Sequence, residues 1–156
     1  MTIETVKQYL TGIGLGDRVR EFDVSSATVE LAAQALGCEP CLIAKTMSFL
    51  VDGHVTLVVL AGDARVDNAK FKAAFHQKAK MLSHEQVAEL TGFPVGGVCP
   101  FLAPEGTAVY LDESLRRFEV VYPAAGSRSS AVRLTVAELE RASRCHGWVD
   151  VARLPV

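Results

Sequence analysis

The segment CLIAKTMSFLVDGHVTLVVLAG, Cys41–Gly62, decides how this chain folds. Two apolar runs, Leu42–Val51 and His54–Ala61, flank the pair Asp52-Gly53. An Asp-Gly pair between such runs is the strongest short-range hairpin signal, because both central positions of the tightest turn need positive φ. In the first run, alternation puts Ile43, Lys45, Met47, Phe49 and Val51 on one face and Leu42, Ala44, Thr46, Ser48 and Leu50 on the other. Neither face is polar, so the strand is expected to be covered on both sides, as a central strand is. A lysine in that setting is an anomaly, since burying an unpartnered ammonium is costly or depresses its pKa. The pattern leaves two readings open. Lys45 either snorkels to the surface or pairs with a carboxylate, or it points into a pocket to meet an anion or developing negative charge.

Just upstream, Cys38 and Cys41 form a C-x-x-C spacing. Two such thiolates are half of a tetrahedral zinc site, and the other half is missing, because Cys99 and Cys145 are single and far apart. A thioredoxin-type pair follows a strand and opens a helix; this one follows a helix and precedes a strand. The bland reading is a helix-to-strand connector, with metal and redox readings as its alternatives. No metal and no cofactor are expected.

Helix signals surround the hairpin. Thr2 or Thr5 is placed to cap a first helix reaching Leu10, and Ser26 or Thr28 to cap VELAAQAL, whose Leu31, Ala32, Ala35 and Leu36 share a face before Gly37 ends it. Asp67 is placed to cap NAKFKAAF, while Ser83-x-x-Gln86 and Thr135-x-x-Glu138 are capping-box patterns. RVREFDV, TAVYLD, RFEVVYP and AVRLT read as strands. Strands dominate the middle and end with helices at irregular intervals, which argues for an α+β domain over a doubly wound sheet. No repeat or linker divides the chain, so one domain over residues 1–156 is expected.

With 156 residues, 49% hydrophobic and 22% charged, the chain is long enough to bury a core without disulfides. No signal-peptide pattern opens it and no apolar run is long enough to cross a bilayer, so a soluble cytoplasmic protein with reduced cysteines is expected, with no membrane role. A net charge of −2 gives no global pull toward nucleic acid. The one basic concentration, Arg65, Lys70, Lys72, Lys78 and Lys80, is either a phosphate-binding patch or a solvated face.

Two loops complete the candidates. TGFPVGGVCPF, Thr91–Phe101, packs three glycines and two prolines among apolar residues, and its main-chain N–H groups are suited to an oxyanion or phosphate. It matches neither a Walker A nor a G-x-G-x-x-G pattern and is equally readable as a tight apolar turn. PAAGSRSSAV, Pro123–Val132, offers Gly126, Ser127, Arg128, Ser129 and Ser130, which suit a phosphate or ribose contact or an exposed turn. His54, His76 and His84 sit where histidines are solvated, and no G-x-S-x-G or H-E-x-x-H occurs. Any enzyme chemistry is therefore light: positioning, charge stabilisation and a water acting on a labile bond.

Taken in order, AAQALGCEPCLIAKTMSF, the Asp-Gly hairpin, GFPVGGVCPF and EVVYPAAGSRSSAVRLTVAEL resemble the YbaK/EbsC-type aminoacyl-tRNA deacylases, free-standing relatives of the editing domain of bacterial prolyl-tRNA synthetase. The likeness runs from about Val24 to Val151. It implies a mixed, largely antiparallel, barrel-like sheet surrounded by helices. It also implies trans-editing: hydrolysis of the ester of a mischarged aminoacyl-tRNA, tRNA-Pro above all, in the service of translation fidelity. Aminoacyl-tRNA is then the partner, with prolyl-tRNA synthetase a further candidate and DNA excluded. The alternative is a non-catalytic module that binds tRNA or a synthetase. Lys45 falls on the family's essential lysine, and Gly96, Gly97 and Pro100 on its Gly-x-x-x-Pro loop, with Val98 and Cys99 between; Thr46, Gly126, Ser127 and Arg128 join as substrate-binding candidates. Phe22, Met47, Val95 and Val98 are expected to shape the amino-acid pocket, and Lys70 and Lys72 to meet the acceptor stem. Two departures bear on substrate identity: Leu102 stands where relatives commonly have glycine, and AGSR replaces a GGKR-like loop.

Overall fold

In the computed structural model, which describes residues 2–155, Asp52 and Gly53 both take positive φ, 52° and 76°, closing the two-residue hairpin that the sequence demands. That hairpin joins β2 (Ile43–Val51) to β3 (His54–Ala61), in a register that sets Lys45 opposite Leu60 and Thr46 opposite Val59. The earlier elements are α1 (Ile3–Gly12), β1 (Val19–Glu21) and α2 (Val29–Leu36). After the hairpin come β4 (Arg65–Val66), α3 (Asn68–Phe75), α4 (His84–Thr91), β5 (Ala108–Asp112), β6 (Val120–Pro123), β7 (Ser130–Val132) and β8 (Leu134–Thr135). The chain closes with α5 (Val136–Ser143), β9 (Gly147–Val149) and β10 (Ala152–Arg153).

Six strands form one curled, half-barrel sheet in the order β8-β6-β2-β3-β5-β9, and β1-β7 and β10-β4 form two small ladders. Among the described residues four ladders are antiparallel and three parallel, so the fold is α+β with a mixed sheet. β2 is central, between β3 and β6, as its two apolar faces require. Leu57 to Ala61 are at most 1% exposed, and Phe49, Phe71, Phe93 and Phe101 fill the core beside them. Burying each such side chain contributes on the order of 1.5–3 kcal/mol, so the lysine-bearing strand is held in a stiff wall.

Local signals set the ends. Thr2 caps α1, Thr28 caps α2, Asp67 caps α3, and both capping boxes form. The face of α2 differs from expectation. Leu31 is 40% exposed, whereas Ala32 and Ala33 are buried with Val29 and Leu36 packed beside them. Those four positions follow the i, i+3, i+4, i+7 spacing, and it is this stripe that meets Ile43 of the sheet. AVRLT is likewise not one strand: it breaks at Arg133, with β7 pairing to β1 and β8 to β6. The switch carries the chain from one ladder to another within two residues. RVREFDV and RFEVVYP shorten to β1 and β6, the latter because Glu113–Arg117 forms a 3-10 turn first. No described helix is long and apolar enough to cross a membrane.

Candidate active site

A cavity of about 260 Å³ opens where the start of β2 meets α2, β6, β7 and the glycine loop. Lys45 and Thr46 line it from β2, Gly96 and Val98 from the loop, and Ser130 and Ala131 from β7. Ser26 to Val29 enclose it from the start of α2, and Tyr122 and Ala124 from the far side. Lys45 brings the one charged side chain in this lining.

The Lys45 ammonium is neither snorkelled away nor paired with a carboxylate. It donates to the carbonyl oxygens of Ala64 at 2.5 Å and Gly62 at 3.4 Å, in the turn that leaves β3. Desolvation by burial, followed by the positive charge of Arg65, lowers its pKa below the ordinary 10.5, against an opposing pull from Asp63 and Glu30. A cation fixed by neutral carbonyls keeps its charge available to a ligand, where a carboxylate partner would have neutralised it. Thr46 adds a hydroxyl: its Oγ1 is buried with no hydrogen-bond partner among the described residues.

The glycine loop is built by exclusion of side chains. Gly96 takes φ of 83°, and a Cβ there would stand 2.8 Å from that of Ala27. A Cβ on Gly97 would stand 2.8 Å from the carbonyl carbon of Ser127. The loop therefore lies directly on the start of α2 and on the Gly126–Ser130 turn, and only hydrogen side chains allow that approach. Gly97 N–H closes a turn onto the Pro94 carbonyl at 2.9 Å, so it is occupied. Gly96 and Val98 N–H groups have no acceptor among the described residues, and both residues border the cavity. Cys99 and Pro100 are buried behind them, and burial pushes the Cys99 thiol up to about 12.

Ser127 reaches the site indirectly. Its hydroxyl shares a 2.8 Å hydrogen bond with that of Ser130, which lines the cavity. Gly126 is buried against Phe93 and Val6, and Arg128 is exposed. Phe22, Met47 and Val95 do not line the cavity: Phe22 donates its N–H to the Ser129 carbonyl, Met47 packs on the main core, and Val95 is exposed. Lys70 donates to Asp150 at 3.1 Å and to the Ala152 carbonyl at 2.9 Å, whereas Lys72 stands exposed on α3. Leu102 adopts φ of 56°, a left-handed conformation that glycine takes without strain.

The cysteine pair behaves as a connector. Burial raises the pKa of both Cys38 and Cys41, the opposite of what a redox nucleophile needs. No group of three or more potential metal ligands is found among the described residues. The sequence reading missed Gly62, Asp63 and Ala64, the turn that holds the lysine, and Ser26 as a cavity residue. The Gly-Asp pair directly after β3 was a visible signal for the turn but gave no hint of its partner.

The fold and this lysine–glycine-loop cavity define a class: the chain belongs to the family of aminoacyl-tRNA editing domains, whose pattern it matches over residues 23–142. Among its relatives, the uncharacterized protein YwhH of Bacillus subtilis strain 168 is 46% identical over 154 residues, 98% of each chain. The proline–tRNA ligase of Bacillus velezensis is 26% identical over 125 residues, which are 80% of this chain and 22% of the ligase. A solved structure put forward as a trans-editing enzyme for prolyl tRNA synthetase superposes with a TM-score of 0.85 at 30% identity, covering 97% of this chain and 96% of that one.

Proposed function

We propose that the chain hydrolyses the ester of mischarged aminoacyl-tRNA in trans, with tRNA-Pro bearing a small wrong amino acid as its substrate. The observation that carries this reading is an ammonium held by two backbone carbonyls in a cavity bordered by Gly96 and Val98, whose N–H groups have no acceptor among the described residues. Among the described residues no carboxylate or histidine lines that cavity to act as a general base. An aminoacyl ester does not need one, because its own α-ammonium activates the carbonyl. A water adds to the carbonyl carbon and the N–H groups of Gly96 and Val98 hold the oxyanion. The bond to the ribose oxygen then breaks, and that oxygen takes the water's proton. Lys45 stabilises the negative charge along this path and holds the 3′ end of the tRNA.

The cavity is smaller than the ~300–1,000 Å³ of sites for drug-sized ligands, which fits a small side chain. Alanine, cysteine, serine, threonine and non-protein analogues are the candidates, and a methylene more or less changes binding by only ~1–3 kcal/mol. Steady-state deacylation of a tRNA-Pro panel charged with these residues and with proline tests the reading. One or more mischarged species is expected to turn over faster than Pro-tRNA-Pro; hydrolysis of none above the spontaneous rate refutes it.

For the acceptor stem, Lys72 is the better of the two sequence candidates, since Lys70 already has acceptors. Reversing its charge, Lys72→Glu, is expected to raise KM for tRNA with kcat unchanged and to flatten the salt dependence of binding. An unaltered salt slope would remove Lys72 from the interface.

A further inference from the structure

The turn that grips Lys45 is itself gripped from outside the cavity. Between the two carbonyls that accept from Lys45 lies Asp63, whose carboxylate receives both arms of the Arg117 guanidinium, at 3.1 and 2.6 Å. Arg117 Nε also donates to the Ser114 carbonyl at 2.9 Å. Ser114 in turn accepts from the Ala61 N–H at 3.1 Å, so the Glu113–Arg117 turn binds both ends of the segment Ala61–Asp63. Its own anchor is buried: Asp112, 1% exposed, accepts from the N–H groups of Ser114 and Val151 at 2.9 and 2.8 Å. Neither Asp63 nor Arg117 lines the cavity.

We infer that Arg117, acting through Asp63, is a positioning residue that fixes the Gly62 and Ala64 carbonyls and thereby aims the Lys45 ammonium. This deepens the deacylase reading and rests on it for its kinetic consequence. A planar two-pronged guanidinium sets orientation as well as distance, which a point charge does not. The Ala64 N–H donates to the Ala61 carbonyl at 3.0 Å and closes the turn around Asp63, so clamping that residue restrains both flanking carbonyls.

The test uses the full chain with 15N-lysine and reads two quantities. The first is proton exchange at the Lys45 ammonium, assigned by its loss in Lys45→Met. Arg117→Gln is expected to speed that exchange tenfold or more, as the acceptors come loose. The second is deacylation, where kcat falls roughly 10- to 100-fold with KM little changed, and Arg117→Lys recovers part of it. Asp63→Asn, equal in shape, repeats both measurements should Arg117→Gln not fold. Unchanged ammonium exchange in a folded variant overturns the inference, and so does a wild-type ammonium with no slowed exchange at all. Altered exchange in a protein that deacylates nothing would uphold the clamp and refute the deacylase reading, so the two failures are distinct.

Discussion

Lys45→Ala is expected to abolish measurable deacylation while leaving the fold intact. The loss follows from what else the cavity contains. Gly96 and Val98 offer neutral N–H groups, and Ser26, Thr46 and Ser130 offer hydroxyls, but Lys45 supplies the one charge. Removing a single preorganised donor from an oxyanion site costs ~2.7–4 kcal/mol, or about a hundred- to a thousandfold in kcat. Lys45 is asked to stabilise charge and hold substrate together, so its loss belongs at or above the top of that range. The fold survives because the strand keeps its neighbours Leu60 and Tyr122, and water replaces the ammonium at the two carbonyls. Lys45→Met sharpens the point. Since burial lowers the pKa of Lys45, its charge opposes folding at neutral pH, and the methionine variant is expected to melt at or above the wild-type temperature while inactive. With the folded pKa below the unfolded 10.5, the unfolded chain binds more protons between the two values, so wild-type stability gains from this group as pH rises through that window. Catalysis runs the other way, fading as pH climbs through the folded pKa and the ammonium is lost. Deacylation corrected for spontaneous hydrolysis, beside melting curves for both variants, measures all of this. A fully active Lys45→Ala, or a Lys45→Met that melts several degrees lower, would refute the role assigned here.

Much of this was legible because local rules and global fold agree. Asp52-Gly53 had one economical conformation, and the two capping boxes formed where Ser83 and Thr135 stand. The lysine and the Gly-x-x-x-Pro loop could be picked out because each breaks a local rule, a charge in an apolar strand and a run of glycines between prolines. What stayed hidden depends on contacts between distant residues. Leu31 looked like a core residue until α2 was rotated by its real neighbour, Ile43. Met47 shares a strand with Lys45 but faces packing that no alternation pattern specifies. Arg117 lies 54 residues from Asp63, and nothing near either residue marks them as partners. Leu102 shows the reverse: its place after the loop was visible in the sequence, and its φ of 56° is a conformation that glycine takes without strain.

Gly62→Ala is the second change with a large expected effect, and it tests the lysine's cradle at a contact other than the Arg117–Asp63 pair. An added Cβ would stand 2.1 Å from the Pro40 carbonyl oxygen and 2.9 Å from Val29 Cγ1. The first of these is backbone in a rigid segment, the Pro40–Leu42 3-10 turn that leads from the cysteine pair into β2. It cannot yield by changing a rotamer, so the turn and the end of β3 must separate. Overpacking of this kind costs about 1–3 kcal/mol, which for a chain of this length lowers the melting point by about 2–12 °C. The catalytic loss is expected to be larger than that destabilisation accounts for, because the displaced residue carries one of the two carbonyls on Lys45 and its neighbour Val29 borders the cavity. Gly12→Ala, placed in α1 where a Cβ meets nothing within 4 Å, is the control and should leave deacylation unchanged and the melting point equal or higher. A Gly62→Ala protein that melts and deacylates like wild type would mean that the C-x-x-C turn does not press on the cradle. The expected result assigns that turn a steric use: the Pro40 carbonyl between its cysteines leaves room only for glycine at the lysine's cradle.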